Sequence, residues 1–192
     1  MSLLTVLKSE TAERHAALEN GLDLFKRSAT AEGYLGLVQG FYTLCRPLER
    51  HLAESMDWTQ VGWDFEARLK TGWLEQDLRA LGMSPAQIQN LPLCAHVPPV
   101  ENLGQAIGCL YVLEGSTLGG QFISRRLRES LGVTPETGGQ FFFGYGPDTG
   151  AQWKRFGTWA EALAAADPTL QPVAVGTAKA TFDCFHRWFD CQ

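Results

Sequence analysis

His15 can bind a transition metal through a neutral imidazole. Lys8 stands seven residues before it and Glu19 four after, so on a helix they share its face, with Lys8 about 10 Å along the axis. The stretch Tyr111 to Gln121, Y-V-L-E-G-S-T-L-G-G-Q, offers bare backbone instead of side chains. At about 100° per residue Gly104, Gly108, Gly115 and Gly119 fall on one stripe, with Gly120 to the side. Five glycines inside a helix cost roughly 4–5 kcal/mol relative to alanine. Such a stripe lets a second helix pack closely, or lets something flat or bulky lie against the backbone. From the residues alone both readings stay open. So do both readings of His15, which shares the stripe Leu4, Lys8, Thr11, His15, Leu18 and Leu22: a satisfied core histidine or a ligand.

The elements that must position these residues are all helices. Helical spacing and end signals predict a first helix over residues 2–20, capped by Ser2 and stopped by Gly21. A second runs over 30–55 with the apolar face Tyr34, Leu37, Val38, Phe41, Leu44, Leu48 and Leu52, kinked at Pro47. A third runs over 65–81. Ser84 and Pro85 open a short helix, and the proline-bearing residues 91–100 form a connection. The glycine-bearing helix spans 101–131, with Arg125, Arg126 and Arg128 at its C-terminal end and Gly132 as its stop. Residues 132–149 form a long loop containing F-F-F-G-Y-G-P. Helices over 150–166 and 172–189 finish the chain, the last placing Phe182, Phe185, Trp188 and Phe189 on its apolar side. No stretch reads convincingly as a strand, so the fold class is all-α.

The 192 residues fit one domain, 1–192, with a sizeable core. The net charge of −5 argues against nucleic acid or anionic membrane as partners. No apolar run is long enough to span a membrane, and the N-terminus turns polar too soon for a signal peptide. Five cysteines without metal-finger spacing suit reduced thiols, so the expected location is cytoplasmic. G-S-T-L-G-G lacks the ending of a phosphate loop, no G-x-S-x-G is present, and no paired Glu-x-x-His suggests a di-iron site.

The stretch L-K-S-E-T-A-E-R-H-A-A-L-E-N, Leu7 to Asn20, resembles the first helix of heme oxygenases. L-Y-V-L-E-G-S-T-L-G-G-Q resembles that family's glycine-rich distal helix, particularly in its bacterial, biliverdin-producing branch. The order and separation of the two motifs match, and the likeness spans most of the chain. It implies a helical fold with heme between the first helix and the glycine-rich one, and it turns the glycine stripe toward a ligand-facing role. It implies that heme b is both cofactor and substrate, cleaved with O2 and external electrons to biliverdin, iron and carbon monoxide. His15 is then the iron ligand, ahead of His51, His96 and His186, with Glu19 tied to its other nitrogen. Lys8 contacts a propionate, and Lys154, with Arg155 behind it, is a weaker candidate for the same task. Gly115 and Gly119 press on the heme face, with Gly120 beside them. Ser116 stands where animal members carry an aspartate that organises water for proton delivery. A ferredoxin- or flavodoxin-type reductant or a reductase is the implied electron donor, and a phytochrome is a candidate receiver of the product. The rival functions are a non-catalytic heme carrier and a relative acting on another ring-shaped ligand.

Overall fold

α9, Leu170–Asp190, is the floor on which the two chemistry-bearing helices lie. α1, Leu3–Leu22, runs along it, tied by Lys179 to Glu10 and by Arg14 to Asp183 at 3.0 Å. α6, Leu103–Leu131, packs on it more closely still. α1 and α6 barely touch one another. The computed structural model describes residues 1–191, and among these it is all helix, with no strand. The remaining helices are α2, Leu24–Arg27; α3, Ala31–Ser55; α4, Thr71–Ala80; α5, Pro85–Gln89; α7, Gln140–Phe143; and α8, Thr149–Ala166.

Most helix starts follow their local signals. Ser2, Thr30, Ser84 and Asn102 each accept a bond from a first-turn N–H of α1, α3, α5 and α6, and Ser84 forms a capping box with Gln87. Glu161 of α8 adds a tertiary cap to α1 by accepting from Leu3 N at 2.9 Å and Leu4 N at 2.8 Å. Gly132 ends α6 with φ 68°. The predicted apolar face of α3 is buried throughout, and Pro47 lies inside that helix.

Three expectations change. α1 passes through Gly21 and ends at Asp23, which takes the left-handed conformation at φ 36°. Burial of Leu22 carries the helix that far, and a short polar side chain tolerates the turn. The expected helix over 65–81 is broken: a 3-10 turn covers Glu66–Arg68, and α4 begins only at Thr71. Leu69 is extended between them, because Arg68 and Lys70 both turn inward to the one buried carboxylate of Glu114. The expected loop over 132–149 folds as two 3-10 turns flanking α7, which sends Phe141 and Phe142 into the core beside Phe41. The core itself is contiguous, built mainly from α3, α6 and α9.

Candidate active site

One face of α6 meets two environments. Gly104 and Gly108 lie where α9 is alongside. An added Cβ at Gly108 would come within 2.2 Å of the Ala174 carbonyl oxygen and 2.9 Å of the Ala178 nitrogen, and at Gly104 within 2.9 Å of the Val173 side chain. Here the stripe serves helix packing, which corrects the ligand-facing expectation for its first half. About 10 Å further along the axis, the same face comes away from α9. A Cβ at Gly119 would meet nothing within 4 Å, and one at Gly115 would only touch the Trp153 ring at 3.7 Å. Gly120 does not share this face: its Cβ would strike the Phe142 carbonyl oxygen at 2.5 Å. It lets α7 pack against α6 and does not open toward a ligand.

On α1, which shares the α9 floor with α6, His15 has 57% of its side chain exposed. The ring stands edge-on to Phe182 of the α9 floor, with centroids 5.6 Å apart. Its Nε2 lies 3.5 Å from Glu19 Oε1, too far for a good hydrogen bond, so the imidazole is loosely tethered and remains available to a metal. Lys8 lies exposed on the same helix and has no ion-pair partner among the described residues. Between α1 and α6 lies a slot, where the two helices come near one another at Thr11 and Tyr111. The other histidines are placed elsewhere: His51 beside the Pro98 carbonyl, His96 in the exposed connection, and His186 bonded to Asp190.

Ser116 is exposed, and its hydroxyl donates to the Leu113 carbonyl at 2.8 Å. That leaves the oxygen able to accept from a water but spends its proton inside the helix. Lys154 and Arg155 are exposed on α8 directly after Trp153, the ring that touches the Gly115 position.

The structure adds residues that the sequence reading missed. Leu118 and Phe122 continue the Gly115–Gly119 face and are 46% and 65% exposed, which is unusual for large apolar side chains flanked by arginines. Phe122 meets Phe25 of α2 edge-on at 5.8 Å, and the Arg126 guanidinium lies 4.6 Å above Phe25. Spacing along α6 could have revealed Leu118 and Phe122, at three and seven residues from Gly115. Phe25, Trp153 and Phe182 come from other elements and carry no local signal. Two concavities elsewhere, about 200 Å³ at Tyr42 and Arg46 and about 680 Å³ at Trp58 and Trp63, share no residue with the slot.

An exposed imidazole on α1, an open glycine backbone on α6, an uncovered apolar rim and exposed cations on α1 and α8 suit one ligand shape. That ligand is flat and apolar, carries a metal centre, and has anionic arms.

Known proteins share the fold and much of the sequence. The family model described as heme oxygenase matches residues 1–191. A heme oxygenase of Xanthomonas campestris pv. campestris is 32% identical over 164 residues, covering 81% of this chain and 88% of the relative. The NO- and CO-bound heme oxygenase of Neisseria meningitidis superposes with a TM-score of 0.76 at 18% identity, over 98% of this chain and 90% of that one. The heme oxygenase of Leptospira interrogans gives 0.72 at 18% identity, over the full length of both.

Proposed function

The chain belongs to the heme oxygenase family, and from that premise we propose how its own residues handle heme. Its activity is the degradation of heme to biliverdin with release of iron. In our reading the ring lies in the slot between α1 and α6, above Phe182, and heme is the substrate as well as the iron centre that activates oxygen. His15 would hold the iron. Glu19 orients the imidazole and strengthens its donation, the usual work of an outer carboxylate on a histidine ligand. Lys8 and Lys154 take propionates, which want cations at the mouth of an apolar site.

Above the ring, Gly115 and Gly119 keep side chains away from the iron, leaving room for O2. No histidine on α6 is available to hold a bound gas. Ser116 accepts a hydrogen bond from water, and that water brings the proton, since the serine's own hydrogen is held by Leu113. Leu118, Phe122 and Phe25 cover the hydrophobic edge and exclude bulk water there. Electrons come from an external donor of ferredoxin or flavodoxin type or from a reductase, and biliverdin passes to iron metabolism or to a phytochrome.

We also read residues 1–192 as one domain on the strength of the continuous core. The cytoplasm is the proposed compartment. No helix among the described residues is long and apolar enough to cross a membrane, and the five cysteines are free thiols.

One observation carries the reading: of two helices laid on the α9 floor, one bears an exposed histidine and the other a glycine at which a Cβ would meet nothing. Hemin added to the protein should give the spectrum of a histidine-ligated heme. Reductant in air should then convert it to bile pigment. Heme bound but left intact would make the protein a carrier, and no binding at all would point to another ring-shaped ligand.

A further inference from the structure

Behind the slot lies a second charged cluster that the reaction does not touch. Glu114, the residue before Gly115, is fully buried. Its carboxylate accepts from Lys70 Nζ at 2.6 Å, Arg68 NH1 at 3.1 Å and the Tyr145 hydroxyl at 3.0 Å. Lys70 also donates to the Arg68 carbonyl at 2.8 Å. On the other side, the backbone N–H groups of Lys70 and Thr71 bond to the buried Glu49 of α3. Two buried acids and two buried bases thus balance one another. Burial, the largest single influence, would lower the Lys70 ammonium, but the charge and hydrogen bond of Glu114 together with Tyr145 and Glu49 outweigh it and hold the group above its ordinary range.

Burying such a network is weak evidence for stability, because desolvation offsets the attraction. What ionic hydrogen bonds provide, and apolar contacts do not, is direction. Direction is what α6 lacks at this point. Its slot face is glycine, and its partner α9 has diverged. The Ser116 and Thr117 hydroxyls both bond back to carbonyls three residues earlier, an arrangement that loosens and bends a helix. Rotation of α6 about its axis by about 25° would carry a Cα on the 2.3 Å cylinder by about 1 Å. A shift of about that size at a reacting centre can cost about a hundredfold in rate.

We infer that Glu114 is a positioning residue: clamped by Arg68, Lys70 and Tyr145, it fixes the rotation of α6 and so sets which part of the heme ring Gly115 and Gly119 address. This rests on the reading that heme lies on the Gly115–Gly119 face. Glu49 holds the clamp's far side, so the broken helix between Arg68 and Thr71 is the bracket that joins α3 to α6.

Two variants test it. Glu114→Gln keeps the volume and removes the charge. Tyr145→Phe removes one neutral donor, leaves the charges balanced and retains the fold. Amide hydrogen exchange on the heme-free protein is compared for residues 115–123 and 103–112, and the bilin isomers formed in turnover are separated. In both variants exchange should rise selectively over 115–123, by about tenfold for Glu114→Gln, and wild type's isomer pattern should broaden. The inference stands only if both readouts change. Uniformly faster exchange along α6, or an unchanged isomer pattern, reduces Glu114 to a structural anchor and overturns it. If wild type forms no bilin, the heme reading has failed, and the exchange pattern alone decides whether Glu114 holds the helix.

Discussion

Gly108 and Gly119 lie on the same face of the same helix and have opposite surroundings. Around Gly108 the backbone of α9 is so close that a single methyl group has no place. At Gly119 the same methyl group would meet nothing. The residue type and the helical periodicity are identical, so neither reveals the role. The neighbour decides it: α9 lies against α6 at Gly104 and Gly108 and does not reach Gly119. A helix can therefore carry a packing stripe and a ligand face in one continuous line of glycines.

The comparison can be broken first from across the slot. His15→Ala should abolish bilin formation and leave a heme site that added imidazole can fill, seen in the heme spectrum. A wild-type spectrum in that variant, with a change at His51, His96 or His186 instead, would move the slot away from Gly119 altogether.

Next in size is the packing glycine. Gly108→Ala should cost about 3 kcal/mol, the upper part of the usual overpacking range, because the clash is with backbone. Melting of the protein with and without heme checks this, and the loss should be the same in both.

A pH test probes what supports the bare half of α6 from behind. α7, whose Phe142 carbonyl faces Gly120, is held by Asp77, which accepts from Gln140 N and Phe141 N at 2.8 Å each. Burial pushes the Asp77 carboxyl up from 3.8 to about 6, against the pull of those two donors. The folded state therefore holds this proton to higher pH than the unfolded state. The group's contribution is full below about 3.8 and is lost as pH rises through about 6. Raising the pH from about 4 to about 7 should lower the stability of wild type relative to Asp77→Asn by about 2–3 kcal/mol. Urea unfolding at both pH values measures it, and parallel profiles would mean that Asp77 is ionised throughout.

Gly119→Ala should behave unlike Gly108→Ala. The heme-free protein should gain up to about 1 kcal/mol, since alanine suits a helix better and meets no neighbour. Single-turnover biliverdin yield should fall. A destabilised heme-free protein with normal yield would erase the distinction between the two glycines.

The smallest effect is expected at Lys8. Lys8→Ala should weaken heme binding by less than about fivefold, as for other exposed ion pairs. The clearer change should be in heme orientation or in the bilin isomer formed; an unchanged value for both would remove Lys8 from the propionate role.

The sequence by itself determined whatever depends on neighbours within a few residues. Ser2, Thr30 and Ser84 announce helix starts because a short polar side chain can reach an orphan N–H one turn on. Gly132 announces a stop because the left-handed conformation is cheap for glycine. The buried face of α3 followed from spacing alone. His15 and the glycine-rich helix were legible as motifs, and through them so was the heme-degrading family.

Tertiary structure decided the rest. The break between Arg68 and Thr71 could not be read from a helical pattern, because its cause is Glu114, some 44 residues from Lys70 along the chain. Gly120 lay to the side of the stripe in the sequence, but that it packs against Phe142 could not be read there, because Phe142 arrives from another element. Local propensity is the same for a glycine against backbone and a glycine against open space. Only the divergence of α9 from α6, a property of how whole helices pack, separates them.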